Sequence, residues 1–123
     1  MFDARPMEIS VTPKTLTKQN VLDAMTRGWY GLEWVNGRLF VDPLHVNEYI
    51  SDYRNGCTQA CALGAMSRGL GLEARVFQPK LSDILSPSMI AYASNGAGSK
   101  EKAIAAVTGL LNRVWPEGKE IQL

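Results

Sequence analysis

The run Cys57-Thr58-Gln59-Ala60-Cys61-Ala62-Leu63-Gly64-Ala65-Met66 is apolar or small almost all the way round. A helix without a polar face has to be enclosed by the rest of its domain. The run therefore predicts a central helix over residues 58–70, with Gly69 and Gly71 loosening its exit, on which every other element packs. At 123 residues the chain has the size of one domain and should bury about two-thirds of its unfolded surface. No linker, repeat or low-complexity tract divides it, so residues 1–123 are read as a single domain, with residues 1–16 an N-terminal arm or edge strand and 117–123 a polar tail.

Local signals place the other elements around this helix. Met7-Glu8-Ile9-Ser10-Val11 alternates as a short strand does, stopped by Pro13. Thr17 is positioned to cap a helix over residues 18–27 whose stripe is Val21, Leu22, Ala24 and Met25, with Gly28 as a left-handed stop. The segment from Trp29 to Val35, then Asn36-Gly37, then Arg38 to Val41 reads as a two-residue β-hairpin, because Asn-Gly tolerates the positive φ of a type I′ turn. That turn sets a register in which Leu32, Trp34, Leu39 and Val41 share the core face, opposite Glu33, Val35, Arg38 and Phe40.

Asp42-Pro43 predicts a helix start running to about Asp52, burying Leu44, Val46, Tyr49 and Ile50. Residues 73–78 fit a strand or extended link closed by Pro79. Two short segments, 81–85 and 89–93, flank Ser86-Pro87-Ser88, and a Ser99-capped helix carries Ala103, Ile104, Ala106, Val107, Leu110, Leu111 and Val114 at helical spacing up to Trp115-Pro116. The expected class is α+β: one mainly helical domain with a β-hairpin packed on a central buried helix.

Charge and cysteine usage narrow the setting. Lys and Arg total 13 against 12 for Asp and Glu, a net charge of +1, so nucleic acid is not an expected partner. Apolar stretches fall far short of the roughly 20 residues a membrane span needs, and Met1-Phe2-Asp3-Ala4-Arg5-Pro6 has no apolar signal core. These features predict a cytoplasmic protein without a membrane role. Cys57 and Cys61, if on one helix, would hold their Cβ atoms about 6 Å apart against the about 3.8 Å a disulfide needs, so both are expected as free thiols.

No complete catalytic motif, metal signature or nucleotide loop is present, and no cofactor is expected. A thiol site would use Cys57 or Cys61 with His45, the single histidine, as base. Cys61 reads as a buried, unreactive small residue, while Cys57 is better placed at a helix start. A metal set of Cys57, Cys61, His45 and either Asp42 or Asp52 lacks a second Cys or His pair, so packing is the preferred reading. Asn95-Gly96-Ala97-Gly98-Ser99-Lys100 is a glycine-rich turn into a helix, and Asn95, Gly96, Gly98 and Ser99 are candidate anion-binding residues. It is no P-loop, and Glu101 stands where the dinucleotide fingerprint has its third glycine.

The strongest functional candidate is a contact surface made by Tyr30, Val35, Arg38, Phe40 and Tyr53, where aromatic and apolar side chains interleave with charge. The neighbouring residues 42–59 either cover that surface or extend it.

Gly28-Trp29 after a helix, a short hairpin, Cys61-Ala62-Leu63-Gly64-Ala65, the segment Tyr92-Ala93-Ser94-Asn95 and a Ser99-capped helix together resemble a small domain of unknown function found in actinobacterial and phage proteins. The likeness spans residues 17–114, and residues 42–59 lengthen the link before the cysteine relative to that family. It implies a fold and a bacterial or phage setting, and no activity or site residue. The function expected is that of a small cytoplasmic binding or accessory protein of phage origin, contacting another protein or itself. The alternative is a small enzyme or ligand-binding protein using Cys57 or the loop 95–99.

Overall fold

In the computed structural model, which describes residues 8–123, helix α2 (Ala62–Leu70) is buried at every position except Arg68. Helix α1 (Lys18–Gly28) crosses it through a set of small residues: Ala24 and Gly28 on one helix, Ala65 and Gly69 on the other. A Cβ at Gly28 would overlap the Ala65 carbonyl, and one at Gly69 would overlap the Ala24 carbonyl. The two backbones are therefore in contact, an approach that only these residues permit. Gly28 is the last helical residue and has no positive φ, so its glycine serves the crossing and not a left-handed stop. Thr17 caps α1 as expected, accepting the Asn20 amide at 3.0 Å.

The sheet differs from the predicted hairpin in one respect. Strands β2 (Glu33–Trp34) and β3 (Phe40–Val41) lie on either side of Asn36-Gly37, where Gly37 takes φ 71°. They do not pair with each other: β4 (Gln59–Ala60) runs between them, parallel to β2 and antiparallel to β3. The predicted helix over 58–70 thus begins only at Ala62, because the backbone at 58–61 is taken up by the sheet. The Thr58 amide donates to the Val41 carbonyl at 2.9 Å, Cys61 donates to Arg38 at 3.1 Å, and the Trp29 indole Nε1 donates to the Ala60 carbonyl at 2.8 Å. Paired on both sides, β4 satisfies its polar backbone at the centre of the domain.

The predicted helix over residues 43–52 is a single 3₁₀ turn, Pro43–His45. Asp42 caps it as expected, its carboxylate accepting the Leu44 amide at 3.0 Å. The chain turns again at 46–48, where the Glu48 amide donates to the His45 carbonyl at 3.0 Å, before Ile50 bridges Phe40 and Asp52 Oδ1 accepts the Ala74 amide at 2.9 Å, fixing the start of α3 (Ala74–Leu81). Residues 73–78 are accordingly helical and not a strand: Ala74, Phe77 and Leu81 are buried at helical spacing, and Pro79 sits in the last turns, where it removes one intrahelical bond.

The N-terminal arm is not a strand over the described part of residues 7–11; Met7 lies outside the described residues. It closes the end of α2 instead. The Ser10 hydroxyl donates to the Arg68 carbonyl at 2.8 Å, the Val11 amide to Gly69 at 2.9 Å, and the Thr12 hydroxyl to Leu70 at 2.6 Å. Three carbonyls that a helix end leaves without partners are satisfied in this way.

Helices α4 (Pro87–Asn95) and α5 (Lys100–Val114) pack side by side and complete the core. Ser99 caps α5 through the Lys102 amide at 3.2 Å, and Ala103, Val107, Leu110 and Leu111 form its buried stripe. The segment read as a polar tail ends in β5 (Ile121–Gln122), which pairs antiparallel with β1 (Thr15–Leu16) and buries Ile121. The domain is α+β and mainly helical. Among the described residues no helix is long and apolar enough to cross a membrane.

Candidate functional site

The contact surface expected around the Asn36-Gly37 turn loses Phe40 to the core. Leu32, Leu39 and Val41 are buried as the register required, with Trp34 partly buried, but Phe40 is only 1% exposed instead of lying on an open face. With β3 paired to β4, Ile50 bridging its backbone and the Tyr53 ring 5.9 Å from its own, Phe40 belongs to the core. The segment 42–59 covers this face. Val35 and Arg38 are half-buried beside it.

Tyr30 and Tyr53 remain exposed, and Arg68 joins them. Its Nη1 donates to the Gly28 carbonyl at 2.9 Å and to that of Tyr30 at 2.7 Å, while the guanidinium lies 4.0 Å from the centre of the Tyr53 ring. A cation over an aromatic face and at the end of α1 is favourable on both counts. The arrangement engages Nη1 and one face of the guanidinium with protein groups, and so works as a clasp between α1, α2 and the loop.

The loop itself turns three large apolar side chains outward. Leu44, Val46 and Tyr49, predicted as the buried side of a helix, are 88%, 52% and 77% exposed. They ride on a polar frame in which Arg54 makes two bonds to Glu48, at 2.8 and 3.0 Å, and lies 3.8 Å from the buried Asp42 carboxylate. Hydrogen bonding from Arg54 holds the Glu48 carboxyl below its usual range, and the same pair raises Arg54. His45 stands exposed beside Glu48 at 3.7 Å.

The loop 95–99 is engaged by the fold. Asn95 Oδ1 accepts the Gly37 amide at 3.0 Å, and the Trp34 indole donates to the Ser94 carbonyl at 3.1 Å, docking the β2–β3 turn on the end of α4. Gly96 has open space around it and Gly98 takes φ 87°, as a turn into α5 requires, while the Ser99 hydroxyl is spent on its cap. Lys100 faces away from the loop: Nζ donates to the Trp29 and Leu32 carbonyls at 3.3 and 2.7 Å. The positive charge an anion would need beside the turn is thus committed to the end of α1.

Cys57 and Cys61 are free and buried. They do not share a helix, since Cys61 is the residue before α2 and Cys57 precedes β4. Burial pushes the Cys61 thiol above its ordinary range, against the amides of Gly64 and Leu63, which favour the thiolate. Among the described residues no group of three or more His, Cys, Asp or Glu is placed to hold a metal.

A large concave surface lies elsewhere, between α4 and α5. This groove of about 760 Å³ is walled by Met89 and Tyr92 from α4 and by Leu110 from α5, and floored by Ala93, Ala106 and Gly109. Ser86 accepts the Ser88 amide at 3.3 Å and Pro87 opens the helix, a start that directs Ile90 and Ser94 to the core and Met89 and Tyr92 outward. Tyr92 is 86% exposed. Arg113 is the one charged group of the lining, its guanidinium 3.5 Å from the point where a Cβ on Gly109 would stand. Tyr92 is not among the contact residues that the sequence singles out. The signal was present in the three-residue spacing of Met89 and Tyr92, opposite the buried Ile90 and Ser94, on a helix started by Ser86-Pro87. An apolar cleft with one charge and no convergent polar groups suits contact with another apolar surface better than capture of a polar small molecule. Comparison with protein-family models, with curated proteins and with solved structures finds no match to this chain.

Proposed function

We propose that this is a small binding or accessory protein that acts through protein–protein contact, with the α4–α5 groove as its contact face. The observation that carries the reading is the open apolar groove itself, on whose lip Tyr92 is 86% exposed. Contact residues of interfaces are enriched in such aromatic groups set in apolar surroundings. We place the protein in the cytoplasm, in the bacterial or phage setting that the resemblance of Gly28-Trp29 and Cys61 to Ala65 implies. Thiol or anion chemistry at Cys57 or at the loop 95–99 has no geometric support, because those groups are buried or bonded within the fold.

Site-specific photo-crosslinking tests the reading. A benzophenone side chain at position 92, in protein expressed in bacterial cells, should give a discrete protein adduct, either to a second copy or to another chain. The same group at the exposed Thr26 on α1, which does not line the groove, should give none. Absence of an adduct at position 92, or equal labelling at both positions, would contradict it.

A further inference from the structure

Along α5 the residues Glu101, Ala105, Gly109 and Arg113 form one i, i+4 row, acidic at the start, small in the middle and basic at the end. Glu101, Ala105 and Arg113 are exposed and Gly109 half-buried, and the last three line the α4–α5 groove. Among the described residues neither Glu101 nor Arg113 takes part in an ion pair. Reversed end to end, the row is its own complement: Glu101 falls opposite Arg113, and Ala105 opposite Gly109.

From this we infer that the occupant of the groove is a second copy of the chain, docked about a two-fold axis through the middle of α5. The inference rests on the reading of the groove as a contact face. Packing of two i±4 rows aligns them when the helices cross at about −50°, and small residues at the crossing allow axes as close as about 8 Å. Glu101 and Arg113 lie about 18 Å apart along one helix, so an antiparallel crossing centred between Ala105 and Gly109 brings each to its opposite on the other copy. The same patch then serves both protomers, as a closed two-fold interface demands. Met89 and Tyr92, on the other wall of the groove, supply the apolar surface that the partner covers. The molecule already contains one crossing of this kind, where the row Ala24 and Gly28 meets the row Ala65 and Gly69.

Sedimentation equilibrium on the purified chain tests the inference, since charge reversal makes the pairing readable. Wild type should show a dimer. Glu101→Arg alone places like charges together twice, as does Arg113→Glu alone, and each should weaken dimerisation about tenfold or more. An equimolar mixture of the two single variants should recover it as a heterodimer, because both pairs are then restored, and the double variant should dimerise with itself. Circular dichroism of each variant confirms that folding is retained. A wild-type chain that stays monomeric overturns the inference, as does a dimer that is indifferent to the single reversals or a mixture that fails to recover. A monomer whose position 92 still crosslinks to a different protein overturns the second copy as occupant and leaves the groove as a contact face.

Discussion

The α1–α2 crossing and the outer face of α5 use the same device with opposite outcomes. Both present alanine and glycine four residues apart, and in each the pair gives a helix a low ridge that another helix can approach closely. At Ala24, Gly28, Ala65 and Gly69 the approach is made within the chain, and a single added carbon at either glycine would overlap a carbonyl. At Gly109, among the described residues, only the end of the Arg113 side chain stands near the place a Cβ would take, and Ala105 is exposed. A small-residue row is thus a fold determinant where its partner is local and an unused docking ridge where it is not. What separates the two is the company of each row: the buried Ala65 and Gly69 sit among fully buried Met66 and Leu70, whereas the row of Ala105 and Gly109 ends in the exposed Glu101 and Arg113.

Substitutions that fill the closed crossing should have the largest effect. Gly69→Val drives a branched side chain into the α1 backbone, and the cost should exceed about 3 kcal/mol, more than overpacking usually inflicts, because backbone and not a side-chain end is in the way. Loss of a cooperative thermal transition is the expected result. Phe40→Ala should follow, at about 3 to 5 kcal/mol by chemical denaturation, since the ring is fully enclosed between β4 and the loop. A loss below about 1 kcal/mol would mean that the loop 42–59 does not cover that face.

A smaller, pH-dependent effect belongs to Cys61. Burial raises its pKa in the folded state, so the folded chain keeps the thiol neutral where the unfolded chain ionises. The resulting stability is fully present below the ordinary thiol range of about 8.5 and declines as pH rises through it. Wild type should therefore lose stability relative to Cys61→Ala between neutral and alkaline pH, and native Cys61 should resist alkylation. Smallest of all, Tyr92→Glu should shift the monomer's stability by no more than about 0.5 kcal/mol while abolishing association at the groove.

Much of the frame was readable from residue patterns. The enclosed α2 follows from its lack of a polar face, and the caps at Thr17, Asp42 and Ser99 follow from side chains that accept amides in the next turn. Misreadings occurred where a distant partner decided the local state. Gln59 and Ala60 favour helix by neighbourhood, yet two strands far along the chain claim their backbone. Residues 43–52 carry helical spacing, but the bridge from Ile50 to Phe40 and the cap from Asp52 to Ala74 tie the end of the segment to the sheet and to α3, so no helix continues beyond His45 and Leu44 and Tyr49 are left outside. Residues 73–78 have strand-prone Val76 and Phe77, and the same Asp52 cap starts a helix there. Phe40 leaves the predicted contact face for the related reason that β4, pairing with β3, draws it inward. The groove was missed because its walls come from two helices and only their packing makes it concave.

Paired alanine substitution at the two glycines tests the contrast between the closed and the open ridge most directly. In urea denaturation at concentrations that keep the chain monomeric, Gly69→Ala should destabilise by about 2 kcal/mol or more, since the added carbon meets the Ala24 carbonyl. Gly109→Ala should instead stabilise by about 0.5 to 1 kcal/mol, because the site has room, the residue is helical, and alanine leaves less unfolded-chain entropy to lose. Changes of the same sign and size at both positions would contradict the account.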